Sequence, residues 1–182
     1  MSNIYLIGFM GSGKTTVGQL LARRLNWTFV DTDARIETAT GRTIPEIFAH
    51  MGESGFRRLE HEVLCTVTAA THQVVALGGG APLRPDNWQM IRATGWTVYL
   101  SVPIDVLWHR LRSVRDRPLI AGYTGEALRR RIAELLEQRE PVYRQADVTI
   151  PCDRHAPEVI VQMILQYLHR PSFGVVRDIE QW

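Results

Sequence analysis

The chain has 182 residues, 45% of them hydrophobic and 22% charged, with a formal net charge of +2. That is the size and make-up of one soluble α/β domain, large enough to bury a core without disulfides and too nearly neutral for a nucleic-acid binder acting through global charge. No leader-like start and no membrane-length apolar run is present, so a cytoplasmic protein without a membrane partner is expected; Cys65 and Cys152, lacking metal-ligand spacing, read as reduced thiols.

Residues 3–8 (NIYLIG) form an apolar run ending in glycine and predict a buried strand. Val17, Leu20, Leu21 and Leu25 recur at helical spacing and predict a helix over 14–25, and TFVD at 28–31 predicts a second strand. Residues 34–40 predict a helix that Gly41 can cap. Thr43 and Glu46 have capping-box spacing and open a short helix, with a longer one over 56–70. A buried strand at 74–77 runs into Gly78-Gly79-Gly80. Further on, helices are predicted at 88–93, 105–112, 126–138 and 157–168, strands at 97–100 and 148–150, and an arginine-rich loop at 113–123. The stretch 171–182 has no usable pattern. Strands and helices alternating at this spacing imply parallel βαβ units. One domain is expected over 1–170.

Gly8-Phe9-Met10-Gly11-Ser12-Gly13-Lys14-Thr15 matches G-x-x-x-x-G-K-[ST] between a predicted strand and a predicted helix. Its glycines let the backbone turn N–H groups towards phosphate oxygens, and the helix N-terminus adds partial positive charge. Lys14 then reaches the β- and γ-phosphates, and the Thr15 hydroxyl is suited to Mg²⁺. Lys14 is the only lysine in a chain otherwise furnished with arginine. Only a compact ammonium fits a tight backbone loop, where a guanidinium does not. Asp31-Thr32-Asp33 stands at a strand end, where a parallel sheet opens its ligand crevice. One carboxylate can serve a metal and the other a substrate hydroxyl, although Asp33 could equally be a helix N-cap.

Taken together, GFMGSGKTT, DTD at 31–33, GFRRLE at 55–60, LGGGAP at 77–82, RDRPL at 115–119 and REPVYR at 139–144 resemble the shikimate kinase family. The resemblance implies a three-layer α/β/α P-loop fold with a five-stranded parallel sheet in order 2-3-1-4-5, usually monomeric. It implies transfer of the γ-phosphoryl of ATP to the 3-hydroxyl of shikimate, with one Mg²⁺ per subunit and no nucleic-acid partner. ATP would meet Gly11, Ser12, Gly13, Lys14, Thr15 and Thr16, with Arg110 and Arg154 towards the adenine. Arg117 would act from a lid at about 112–124. Mg²⁺ would be held by Thr15 and, through water, by Asp31. Shikimate would meet Asp33, Arg57, Arg139 and Gly78, Gly79 and Gly80, with substrate-binding helices at about 33–60. Lys14, Asp33 and Arg117 would carry the catalysis.

The residues alone leave alternatives open. Arg57 and Arg58 are neighbours that cannot both enter one pocket, and Arg139 can equally be a surface residue. Phe48 and Phe56 are either pocket wall or core. His155 reads as surface. The arginine-rich loop suits either a phosphate-closing lid or plain solvated chain. A gluconate kinase-like enzyme, or a non-catalytic nucleotide-binding regulator, would share the P-loop. An amine-selective reagent has two targets in this chain, Lys14 and the N-terminal amine. Mg·ATP should shield the first and spare the second, and equal labelling of Lys14 with and without nucleotide would remove the phosphate assignment.

Overall fold

A computed structural model describes residues 3–114 and 116–168. The 171–182 stretch, and Arg115 of the RDRPL segment, lie outside the described residues. In chain order the elements are β1 (Asn3–Ile7), α1 (Lys14–Leu25), β2 (Thr28–Asp31), α2 (Thr32–Thr40), α3 (Ile44–Thr68), β3 (Gln73–Ala76), α4 (Pro85–Thr94), β4 (Gly95–Ser101), α5 (Ile104–Leu111), α6 (Gly125–Tyr143), β5 (Val148–Pro151) and α7 (Pro157–Leu168). The strands form one parallel sheet in the expected order, β2-β3-β1-β4-β5. No helix among the described residues is long and apolar enough to cross a membrane.

The layers follow from connection handedness. β1 to β2 steps one way across the sheet and all later connections step back, so right-handed crossovers send α1 to one face and α3 to α6 to the other. α7 then packs beside α1. Strands covered on both faces are largely apolar, and β1 and β3 are buried at every position, with their polar first residues Asn3 and Gln73 hydrogen-bonded.

Register positions the site. Leu6 and Asp31 both pair with Ala76, so β1, β2 and β3 end nearly level. The loops leaving them start side by side at the carboxyl edge, next to the point where the strand order reverses.

Several boundaries move by one to three residues, and three of the differences have a plain physical reason. α2 starts at Thr32, because Asp31 is its N-cap: Asp31 Oδ1 accepts from the N–H groups of Asp33 and Ala34 at 3.1 and 3.3 Å. Asp33 is thereby freed from the capping role. The two helices expected between 44 and 70 meet at Gly52, whose φ of 66° and ψ of −178° only glycine adopts readily. The Thr43–Glu46 capping box that opens this pair is formed as expected. α6 runs past 138 and through Pro141, which puts Arg139 and Tyr143 on one helix rather than in a loop.

Close packing at the sheet's start gives a direct test. Gly95 opens β4 against β1, and a Cβ there would land on the Asn3 carbonyl oxygen, a backbone atom that cannot swing aside. Gly95→Ala should therefore lower unfolding free energy by about 2–3 kcal/mol in urea titration. An unchanged midpoint would show that β1 and β4 are less tightly joined than described.

Candidate active site

The phosphate loop leaves β1 at Gly8 and enters α1 at Lys14. Gly13 is the N-cap with φ 95°, a left-handed conformation that keeps its backbone close to the cleft and contributes no capping side chain. Lys14 Nζ donates to the carbonyls of Gly8 and Phe9 at 2.9 Å each, so the ammonium is folded back over its own loop. Burial lowers its pKa to about 8 against the pull of Asp33 and Asp31. Thr15 Oγ1 donates to Asp31 Oδ2 at 2.8 Å.

These groups line a cleft of about 490 Å³. Gly11, Ser12, Gly13, Lys14, Thr15, Thr16, Arg110 and Arg117 all border it. Arg110 reaches across to the Gly11 carbonyl at 2.8 Å. Arg154 does not border it. The loop after β5 turns Cys152 inward, with its N–H on Ser101 O, and leaves Arg154 on the outer bend, 88% exposed and paired with Asp153. His155, read from sequence as plain surface, does border the cleft. Nothing in a six-residue loop with no periodicity distinguishes those two side chains.

A smaller chamber of about 60 Å³ adjoins this cleft, and Asp33, Gly79 and Arg117 border both. Phe48, Phe56, Arg57 and Glu60 from α3, Gly78 and Gly80 after β3, and Arg139 from α6 are among the rest of its wall. Arg57 points in while Arg58 is exposed. Phe56 is both core and wall, with its ring 4.8 Å from that of Phe48. Arg139 is only 4% exposed and lies over the Phe9 ring at 5.5 Å. It makes no ion pair with a carboxylate among the described residues, whereas Arg57 is held by Glu60 at 2.8 Å and Glu53 at 2.9 Å. Arg117 Nη1 stands 3.6 Å from Asp33 Oδ2 at the junction of the chambers.

The arginine-rich segment crosses above this junction. Ile120 anchors it in the core, Arg131 Nε of α6 holds the Leu119 carbonyl at 3.2 Å, and Trp108 Nε1 of α5 holds the Gly125 carbonyl at 3.1 Å.

Three buried side-chain oxygens around the cleft lack a hydrogen-bond partner: Ser12 Oγ, Asp33 Oδ1 and Glu60 Oε1. Unpaired buried polar atoms are costly and mark places where a ligand completes the network. The oxygen donors also suit Mg²⁺. Thr15 and Asp31 offer hard oxygens, and no cluster of three or more metal-ligating side chains occurs among the described residues. An ion that keeps most of its waters and shares substrate phosphates needs no more than this.

A shikimate kinase family profile matches residues 10–169. The chain is 46% identical over 167 residues to shikimate kinase of Synechococcus elongatus, covering 91% of this chain and 86% of that one. It is 42% identical over 174 residues to shikimate kinase of Thermodesulfovibrio yellowstonii, covering 96% and 99% respectively. Among solved structures, shikimate kinase from Acinetobacter baumannii in complex with shikimate superposes with a TM-score of 0.87 at 40% identity, over 92% of this chain and 93% of that one.

Glu60 is the site residue that sequence reasoning passed over, although it stands three residues after Arg57 on the same helix face. It is 1% exposed, and burial, with the Arg57 charge opposing, raises its pKa from 4.5 to about 7. The folded chain therefore binds a proton that the unfolded chain has released between those values. Glu60's contribution to stability is full below the ordinary glutamate pKa and falls as pH rises through about 7. Glu60→Gln should remove that slope, gaining on the wild type by on the order of 3 kcal/mol at most across the window. Urea titrations from acid to mildly alkaline pH read this directly. Parallel stability curves for the two proteins would mean that Glu60 is ionised throughout.

Proposed function

The chain belongs to the shikimate kinase family, and we propose that it transfers the γ-phosphoryl of ATP to the 3-hydroxyl of shikimate. The observation that carries the acceptor assignment is Arg139, a buried guanidinium without a carboxylate partner among the described residues, facing an apolar-walled chamber beside a phosphate loop. A buried charge left unpaired is strongly unfavourable, so the chamber is built for an anion. Arg57 supplies a second guanidinium, and two planar forks suit a carboxylate. The Phe48 and Phe56 rings suit the carbon face of a small ring.

ATP would lie in the larger cleft, with its phosphates on the loop amides and Lys14. There the ammonium exchanges its two carbonyl bonds for phosphate oxygens. Thr15 and Asp31 are the residues to hold Mg²⁺, which when bound neutralises phosphate charge. Asp33 orients the 3-hydroxyl. As its oxygen bonds to phosphorus and the bond to the ADP oxygen breaks, the hydroxyl proton passes to Asp33. Burial, then the nearby Asp31 charge, raises the Asp33 pKa, which suits a proton acceptor. Arg117 stabilises charge on the moving phosphoryl from its position between the chambers. Because the transition state is loose, positioning and charge neutralisation carry most of the rate. A monomeric cytoplasmic enzyme with one domain over 1–170 fits this reading, and both cysteines are free.

Coupled ADP release over shikimate, gluconate, nucleoside monophosphates and no acceptor tests the assignment, with turnover expected on shikimate alone. Arg57→Ala and Arg139→Ala should each raise the KM for shikimate roughly ten- to a few-hundred-fold, since a hydrogen bond to a charged group contributes about 1.5–3 kcal/mol. The KM for ATP should stay near wild type. Asp33→Asn should instead lower kcat at saturating shikimate. Wild-type shikimate affinity in both folded arginine variants would reopen the identity of the acceptor.

A further inference from the structure

Tyr143 has no part in the reading above, yet it stands beneath the acceptor chamber. It follows Arg139 by one turn of α6 and is fully buried. Its ring packs against Tyr99 of β4 at 5.3 Å, and its hydroxyl donates to the Gly79 carbonyl in a short hydrogen bond. Burial pushes the phenol up to about 12, so it remains a donor at any working pH.

The consequence lies on the other side of one peptide. The described backbone has no cis peptide, and in a trans peptide C=O and N–H point in opposite directions. Drawing the Gly79 carbonyl towards Tyr143 turns the Gly80 N–H away from the core, on the side of the chamber that both glycines line. The Gly80 N–H donates to no group among the described residues. Gly80 also sits so tightly on the Arg57 guanidinium that a Cβ there would collide with it, and Gly79 is packed between Arg139 Nη1, the Gly8 carbonyl and the Tyr143 hydroxyl. The Ala81 N–H on the Gly78 carbonyl at 3.0 Å closes a turn around this peptide, but between two glycines the central peptide of such a turn can still flip, and only the Tyr143 bond selects one orientation.

We infer that Tyr143 is a positioning residue for the acceptor. Its hydroxyl locks the Gly79–Gly80 peptide so that the Gly80 N–H becomes a third donor beside Arg57 and Arg139, and it fixes that donor to the helix carrying Arg139. The inference rests on the chamber being the acceptor site.

Tyr143→Phe keeps the ring and removes the hydroxyl, which also faces the Arg139 guanidinium, so the KM is read together with the Gly80 amide. The KM for shikimate should rise about tenfold while the KM for ATP stays within about twofold, a split that general loosening of the fold would not produce. Independently of turnover, the Gly80 amide resonance should shift in ¹⁵N and ¹H and exchange with solvent at a different rate, because the peptide is no longer held. If the phenylalanine variant does not fold, 3-fluorotyrosine at 143 serves in its place. It is a stronger donor, and it should shift the same amide while preserving the KM for shikimate. An unmoved Gly80 amide overturns the inference whatever the acceptor is. So does an unchanged shikimate KM in a phenylalanine variant that phosphorylates shikimate. Absence of any shikimate turnover in the wild type, with the Gly80 amide responding as expected, overturns the proposed acceptor and leaves the peptide lock standing.

Discussion

The level ending of β1, β2 and β3 is the constraint on which the cleft depends. Because Leu6 and Asp31 are both in register with Ala76, the phosphate loop, Asp33 and the triple glycine leave the sheet at one height and a few ångströms apart. A slip of one residue in either pairing would turn alternate side chains to the opposite face and separate Thr15 from Asp31, which now meet at 2.8 Å. The buried strands resist such a slip, so the sheet acts as the gauge that holds distances across the cleft.

Charge explains the composition of this edge. Lys14, Arg57, Arg117 and Arg139 face Asp31, Asp33 and Glu60 across two joined chambers. The cations are shared out unequally. Lys14 is occupied by carbonyls, Arg57 by two glutamates and Arg117 loosely by Asp33. Arg139 has the Phe9 ring, the neighbouring phenol and the more distant Glu60 charge, with no ion pair among the described residues. Without ligands the site thus holds an excess of positive charge, and its Glu60 proton near neutrality deepens that excess.

Much of this was legible in the chain. The P-loop, the alternation of strands and helices and the DTD pair follow from pattern, because glycine spacing and apolar periodicity are local signals, whereas the strand order came only with the family resemblance. What was not legible was nonlocal. Which aspartate caps α2 depends on Thr15 engaging Asp31 from another element, and that left Asp33 to the cleft. α6 passes through Pro141, where local propensity predicts a stop, because Leu135, Leu136, Arg139 and Tyr143 are buried together and tertiary packing outweighs one missing N–H. Glu60 reads as an ordinary helical glutamate until Arg57 and the chamber close around it. Arg154 and His155 sit in a bend whose facing no periodicity encodes.

α6 also sets how freely the enzyme can be rebuilt. Its first turns receive the covering segment through Gly125 and Arg131, and its last turns bear Arg139 and Tyr143. Cover and chamber floor are thus mounted on a single rod, with α5 bracing it through Trp108 and through Asp105, which pairs with Arg129. The segment between α5 and α6 is therefore not a freely interchangeable part. A chimaera that grafts a foreign covering segment between α5 and α6, and keeps the native rod, inherits anchor points cut for another loop. The natural seams for recombination lie outside this block, before α5 and after α6.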